Sequence, residues 1–175
     1  MKGTFTLDTH TGVANAIRRA LLDDIVSWAA YKVEFKKNTS CQTDEFIAHR
    51  IGLIPVCKVG NGDTMNLCVA GRTAMLSDMT GPAFEPVHDI EIIDMKEDQE
   101  IECTIFFDEK PGSTHARYKS CSAVGIKELK NGNYELKFNT INEKNPHDVL
   151  KESLEHLQKR LDDSLKQLSC VEIMD

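Results

Sequence analysis

No apolar stretch of the 175-residue chain approaches the roughly 18 residues that a membrane span requires, and Met1-Lys2-Gly3-Thr4 leads into no signal-peptide core. A soluble protein that stays inside the cell is expected. Catalytic signatures are equally scarce. There is no phosphate-cradling GxxxxGK, no GxSxG, no HExxH and no DxD-type carboxylate cluster beside a glycine-rich loop. Gly60-Asn61-Gly62-Asp63 reads as a turn, since it lacks the lysine and helix start of a P-loop. These gaps argue against an independent enzyme, and no catalytic residue is expected.

Close cysteine pairs are missing too. Cys41, Cys57, Cys68, Cys103, Cys121 and Cys170 include no CxxC, and the six histidines form no HxxxH. A structural zinc site needs such pairs so that one tight turn presents two thiolates. No metal ligand and no cofactor are expected, and buried reduced thiols are the default reading. Basic charge is in deficit: 21 Lys and Arg face 28 Asp and Glu, for a net charge of −7. The acidic excess lies in residues 57–142 and 143–175, whereas 1–56 is nearly balanced. Unaided DNA binding needs a basic face that displaces counterions, so no direct sequence-specific contact with DNA is expected.

What is present is a globular pattern, 41% apolar. Residues 3–7 alternate as a short strand. From Val13 to Trp28 neither Pro nor Gly occurs, and Val13, Ala16, Ile17, Ala20, Leu21 and Trp28 recur at helical steps. Tyr31, Val33 and Phe35 then alternate with Lys32, Glu34 and Lys36, a half-buried strand. Thr43 or Asp44 caps a short helix through Arg50 with Phe46, Ile47 and Ile51 on its packed side. Gly52 sits where a left-handed cap belongs, and Pro55 bars continuation. Met65–Ala70, Ile90–Ile93 and Ile101–Phe107 are strand candidates in an acidic, loop-rich stretch. Val124–Leu129 and Tyr134–Phe138 flank Asn131-Gly132, a strong hairpin signal.

The last element is the clearest. Asn145 caps it, Pro146 suits the first helical position, and Asp148 complements the helix dipole. Leu150, Leu154, Leu157, Leu161, Leu165 and Leu168 follow at steps of three or four, averaging roughly the 3.6-residue period of a straight helix. Charged residues occupy its other faces. At about 1.5–3 kcal/mol per buried leucine, the seam represents on the order of 10 kcal/mol of gross burial. Something must cover it: the chain's own sheet or a partner's helix.

Two segments go beyond pattern. Val13-Ala14-Asn15-Ala16-Ile17-Arg18-Arg19-Ala20-Leu21-Leu22, then Asp44-Glu45-Phe46-Ile47-Ala48-His49-Arg50-Ile51-Gly52-Leu53-Ile54-Pro55, resemble in order and spacing the third-largest subunit of eukaryotic RNA polymerase II and its archaeal D-type counterpart. That family is related to the N-terminal domain of the bacterial alpha subunit. The resemblance is weaker at Gly112–Val124, around His115-Ala116-Arg117-Tyr118, and returns over Tyr134–Leu168. Two departures stand out. Cys57 and Cys68 cannot reproduce the metal-binding cysteine cluster that family members often carry, and the chain is short, as a trimmed viral version would be.

The resemblance implies an α+β fold: an alpha-subunit-type dimerisation domain of residues 1–56 plus 122–175, interrupted by a mostly-β inserted domain at 57–121. It implies a non-catalytic assembly subunit of a DNA-directed RNA polymerase. The implied partners are a small alpha-like subunit (eleventh-subunit or archaeal L type), the second-largest subunit and small zinc-bearing subunits. It places the chain with the transcription machinery, in the nucleus for a cellular eukaryotic enzyme and in a viral factory or virion for a viral one. Ile17, Leu21, Leu150, Leu154, Leu157, Leu161, Leu165 and Leu168 are then the expected partner interface, and Arg18, Arg19, His49 and Arg50 the expected docking residues for the large subunit. The residues alone allow a plainer account, with Arg19 bridging to Asp23 at i+4 and Glu45 pairing with His49. A free-standing homodimeric regulator of the same fold is the alternative function.

Overall fold

The computed structural model describes residues 1–141 and 144–169. Its elements in chain order are β1 (Lys2–Leu7), α1 (Thr11–Asp23), β2 (Val26–Asn38), α2 (Asp44–Gly52), β3 (Val56–Lys58) and β4 (Thr64–Ala70). There follow β5 (Ala74–Met75), β6 (Met79–Thr80), β7 (Phe84–Pro86), β8 (Glu91–Ile93), β9 (Glu100–Pro111), β10 (Cys121–Glu128), β11 (Tyr134–Thr140) and α3 (Pro146–Ser169). The class is α+β, and the β1–β11, β10–β11, β3–β7, β4–β6, β4–β9 and β5–β8 pairings are antiparallel.

The chain divides into two compact units. The first comprises Met1–Val26, Pro111–Thr114 and the chain from Lys119 onward; the second comprises Ser27–Lys110 and His115–Tyr118. This differs from the expected boundary at residue 56. β2 and α2 go with the second unit because Ala30, Ile47 and Ile51 fill its core alongside Leu67, Ile92, Ile101 and Ile105. An apolar side chain belongs to whichever core excludes water from it, whatever its place in the sequence.

In the first unit the strands run β1-β11-β10. Lys2 pairs with Asn139 and Leu7 with Tyr134, so the start of the chain is stitched to its late hairpin. Alternation puts Leu136 and Phe138 on one face, where they share a core with Ile17 and Leu21 of α1, Ile25 just beyond it and Val149 of α3. Phe5 stacks on Phe138 at 5.7 Å, and His147 meets Phe5 edge-on at 4.9 Å. The hairpin forms as expected, but Asn131 keeps a negative φ. Gly132 alone in the turn takes the left-handed region, at φ 83°, while the Asn131 side chain accepts the Asn133 N–H at 3.2 Å. β10 bulges between Ser122 and Gly125, with Ala123 at φ 51°.

α1 stops at Asp23, five residues short of its expected end, and Trp28 lies in β2. The carbonyls freed by this early stop are taken up within the same unit, where Ser113 N–H donates to Asp23 O (2.9 Å) and Gly112 N–H to Ile25 O (3.2 Å). Strand formation from Val26 then overrides the helical period.

The second unit carries a β2-β9-β4-β6 sheet and the pairs β3-β7 and β5-β8. Trp28, Phe84 and Phe107 form a chain of ring contacts, and Lys58 Nζ lies 3.6 Å from the Trp28 ring centroid. Arg72 beside Asp78 holds the carboxyl below the usual carboxylate range, helped by the Met75 N–H. Thr43 caps α2 by accepting the Phe46 N–H. Two expectations fail here. Phe46 is exposed, and Gly52 is the last helical residue with no left-handed φ. A Cβ at Gly52 would stand 3.3 Å from Arg117 Nη1 and 3.4 Å from Ala30 O, a snug fit but not one set by backbone hand.

Cys103 and Cys121 are buried and Cys41 and Cys68 exposed, while Cys170 lies outside the described residues. Burial pushes the Cys103 and Cys121 thiols up to about 12, with nearby Asp44 and Glu102 adding to the first and Glu152 to the second. Both stay protonated and unreactive at neutral pH. An alkylating pulse on the native chain, mapped by peptide mass spectrometry, should label Cys41 and Cys68 and reach Cys103 and Cys121 only after denaturation.

Candidate partner interface

α3 shows two stripes, and they are different. Projected at about 100° per residue, Val149, Ser153, His156 and Arg160 share one stripe, while the six leucines share another roughly 100° round the helix. The first stripe is the one the first unit packs against: Val149 and Ser153 are fully buried and His156 is half-buried. Asn145 fixes where the helix starts, its side chain accepting the His147 N–H at 3.0 Å. Ser153 returns its hydroxyl to Leu150 O at 2.7 Å, so this short polar side chain enters the core with its donor satisfied.

The leucine stripe fares otherwise. Leu150 and Leu157 are half-covered by the unit's own core. Leu154 is 42% exposed, Leu161 57%, Leu165 64% and Leu168 65%. From Gln158 to Leu168 every side chain is exposed, about 16 Å of helix. A stretch this polar and this uncovered is marginal by itself in water. Ile17 and Leu21 stand apart from the other six interface candidates: both are buried in the first unit's own core and present no surface.

The charged candidates fall in separate units. Arg18, half-buried on α1, donates from Nε to Asn15 Oδ1 at 3.0 Å. Arg19 is exposed, and Asp23, its i+4 neighbour, lies 4.0 Å from Lys119 Nζ instead. His49 and Arg50 lie on α2 of the second unit, where Arg50 is exposed and its Nη2 donates to Glu91 O at 2.9 Å. Sequence reasoning missed two neighbours of Arg50. Phe46 (47% exposed) and Leu53 (49%) flank it at i, i+4 and i+7, forming an apolar stripe beside the buried Ile47, Ile51 and Ile54. Both stripes have helical spacing, and the signal that separates them is charge: the buried stripe is all isoleucine, whereas the outer one carries Arg50. Among the described residues no group of three or more His, Cys, Asp or Glu is placed to hold a metal ion, and no helix is long and apolar enough to cross a membrane.

Comparison with known proteins gives this surface a setting. The chain is 26% identical over 177 residues to the DNA-directed RNA polymerase subunit Rpo3 of Methanocaldococcus jannaschii, covering 96% of this chain and 91% of that subunit. It is 34% identical over 125 residues to Rpo3 of Halobacterium salinarum. The chain is thus similar to archaeal DNA-directed RNA polymerase subunits named Rpo3. The halobacterial match spans 66% of this chain but only 50% of that relative, about half its length. A shorter match, 46% over 50 residues, joins this homologue to subunit RPAC1 of RNA polymerases I and III of Saccharomyces cerevisiae, covering 29% of this chain and 15% of that subunit. No family model matches the chain.

A surface seam and a core predict opposite responses to truncation. Leu136→Ala, at a fully buried site of this polymerase-subunit homologue, should cost about 2–5 kcal/mol of stability. Leu165→Ala should change it by less than about 0.5 kcal/mol in the chain alone. Urea titrations of the two variants against the unchanged chain measure both.

Proposed function

We propose that the chain is a non-catalytic assembly subunit of a multisubunit DNA-directed RNA polymerase, pairing through α3 with a small alpha-like subunit of the eleventh-subunit or archaeal L type. The observation that carries this is the open seam of Leu154, Leu161, Leu165 and Leu168 on a homologue of polymerase subunits. Closing a partner helix over four leucines adds on the order of 5 kcal/mol of gross burial, part of which offsets the cost of association. Catalysis then belongs to the large subunits. Arg18 and Arg19 on α1, and His49 and Arg50 on α2 with Phe46 and Leu53 beside them, are proposed to dock the second-largest subunit. Both sets offer guanidinium groups able to form bidentate contacts, and on α2 the exposed Phe46 and Leu53 add the apolar surface typical of interface hot spots. Small zinc-bearing subunits complete the proposed assembly, and the place of action is wherever that machinery works.

Co-expression tests the pairing. Leu161→Asp sets an unpaired carboxylate in the seam without touching the chain's own core, so co-purification with the small subunit should be lost; undiminished recovery overturns the reading. A soluble homodimer that ignores the small subunit would favour the free-standing regulator. A second experiment separates the two proposed surfaces. Arg18→Ala combined with Arg19→Ala should leave the heterodimer intact while reducing capture of the second-largest subunit by at least about tenfold, the scale of one interface hot spot. Unchanged capture in a pull-down counts against that assignment.

A further inference from the structure

α1 ends against the electrostatic rule for helices. Its last turn holds no basic residue, yet Asp23 and Asp24 sit where exposed carbonyls already concentrate negative charge. Asp24 is the C-cap, its N–H donating to Ala20 O, and its side chain is only 13% exposed. Cations from elsewhere in the unit answer them: Lys119 Nζ stands 4.0 Å from Asp23, and from α3 Arg160 Nη1 lies 2.7 Å from Asp24 Oδ1 and 2.6 Å from Oδ2. Arg160 belongs to the same stripe as Val149, Ser153 and His156. It therefore continues the packed face of α3 into the stretch where apolar contacts have ended.

We infer that the Arg160–Asp24 pair is a positioning contact that sets the roll of the outer half of α3, and so the direction in which Leu161, Leu165 and Leu168 face the partner. Beyond His156 and Leu157 every side chain up to Leu168 is exposed, so apolar packing does nothing to stop these last three turns from twisting and fraying. Pinning Arg160 to the end of α1 holds the leucines on the outward side, about 100° away, and lowers the ordering cost of docking a second helix. This rests on the assembly reading above. It adds that partner affinity depends on two residues that do not belong to the leucine seam.

The test is a double-substitution cycle on the full chain, reading affinity for the cognate small alpha-like subunit by titration calorimetry. Asp24→Asn and Arg160→Gln should each weaken binding by roughly fivefold, and the double substitution should be little worse than either, because they remove one shared contact. Arg160→Lys should fall between Arg160→Gln and the unchanged chain. The thermal midpoint of the chain alone should barely move, which separates positioning from general destabilisation. If the unchanged chain binds while the single substitutions bind equally well, or if their effects simply add, the positioning role is overturned and the assembly reading survives. If the unchanged chain itself does not bind the small subunit, the assembly reading fails and takes this role with it.

Discussion

The choice of which stripe of α3 faces inward governs the rest of this molecule's surface. The helix carries two candidates, a sparse one of Val149, Ser153, His156 and Arg160 and a rich one of six leucines. The sparse stripe wins because its first members are small and fit close against the sheet of β1, β11 and β10 and against α1. Each leucine is bulkier, and only Leu150 and Leu157 share in that core. A fold that buried all six would satisfy hydrophobicity and leave little to offer a partner. This one keeps four leucines largely in water, an exposed apolar stripe that the proposed pairing would dry.

The same division recurs on α2. Ile47, Ile51 and Ile54 are buried, and the adjacent Phe46, Arg50 and Leu53 remain outside. Each unit thus has one helix with two stripes of similar spacing, one spent on its own core and one left exposed. Under the proposed assembly role, that surplus apolar surface is an interface in waiting, on a chain similar to archaeal polymerase subunits. Acidic composition points the same way, since a chain of net charge −7 gains little from nucleic acid and more from protein neighbours.

Much of the local structure could be read from residues alone. The cap at Asn145, the turn at Gly132 and the alternation of β4 and β11 all depend on short-range chemistry. What escaped had a long-range cause. The end of α1 depends on Gly112 and Ser113, far along the chain, whose N–H groups close its freed carbonyls. Local rules favour a left-handed cap at Gly52, yet its φ is not left-handed, and the Arg117 side chain passes close to it from far along the chain. The division of the chain after Val26 reflects which core claims Ala30, Ile47 and Ile51, and periodicity carries no information about that.

Residue order by itself determined the amphipathic helices, the hairpin, the absence of catalytic motifs and the two segments that mark the polymerase-subunit resemblance, because each is set by chemistry within one or two turns of chain. Tertiary structure alone decided that Ile17 and Leu21 are buried in the chain's own core, that four of the six leucines lie exposed, and that Arg160 answers Asp24. Helical spacing says that two side chains share a face; only packing in three dimensions says which face stays dry.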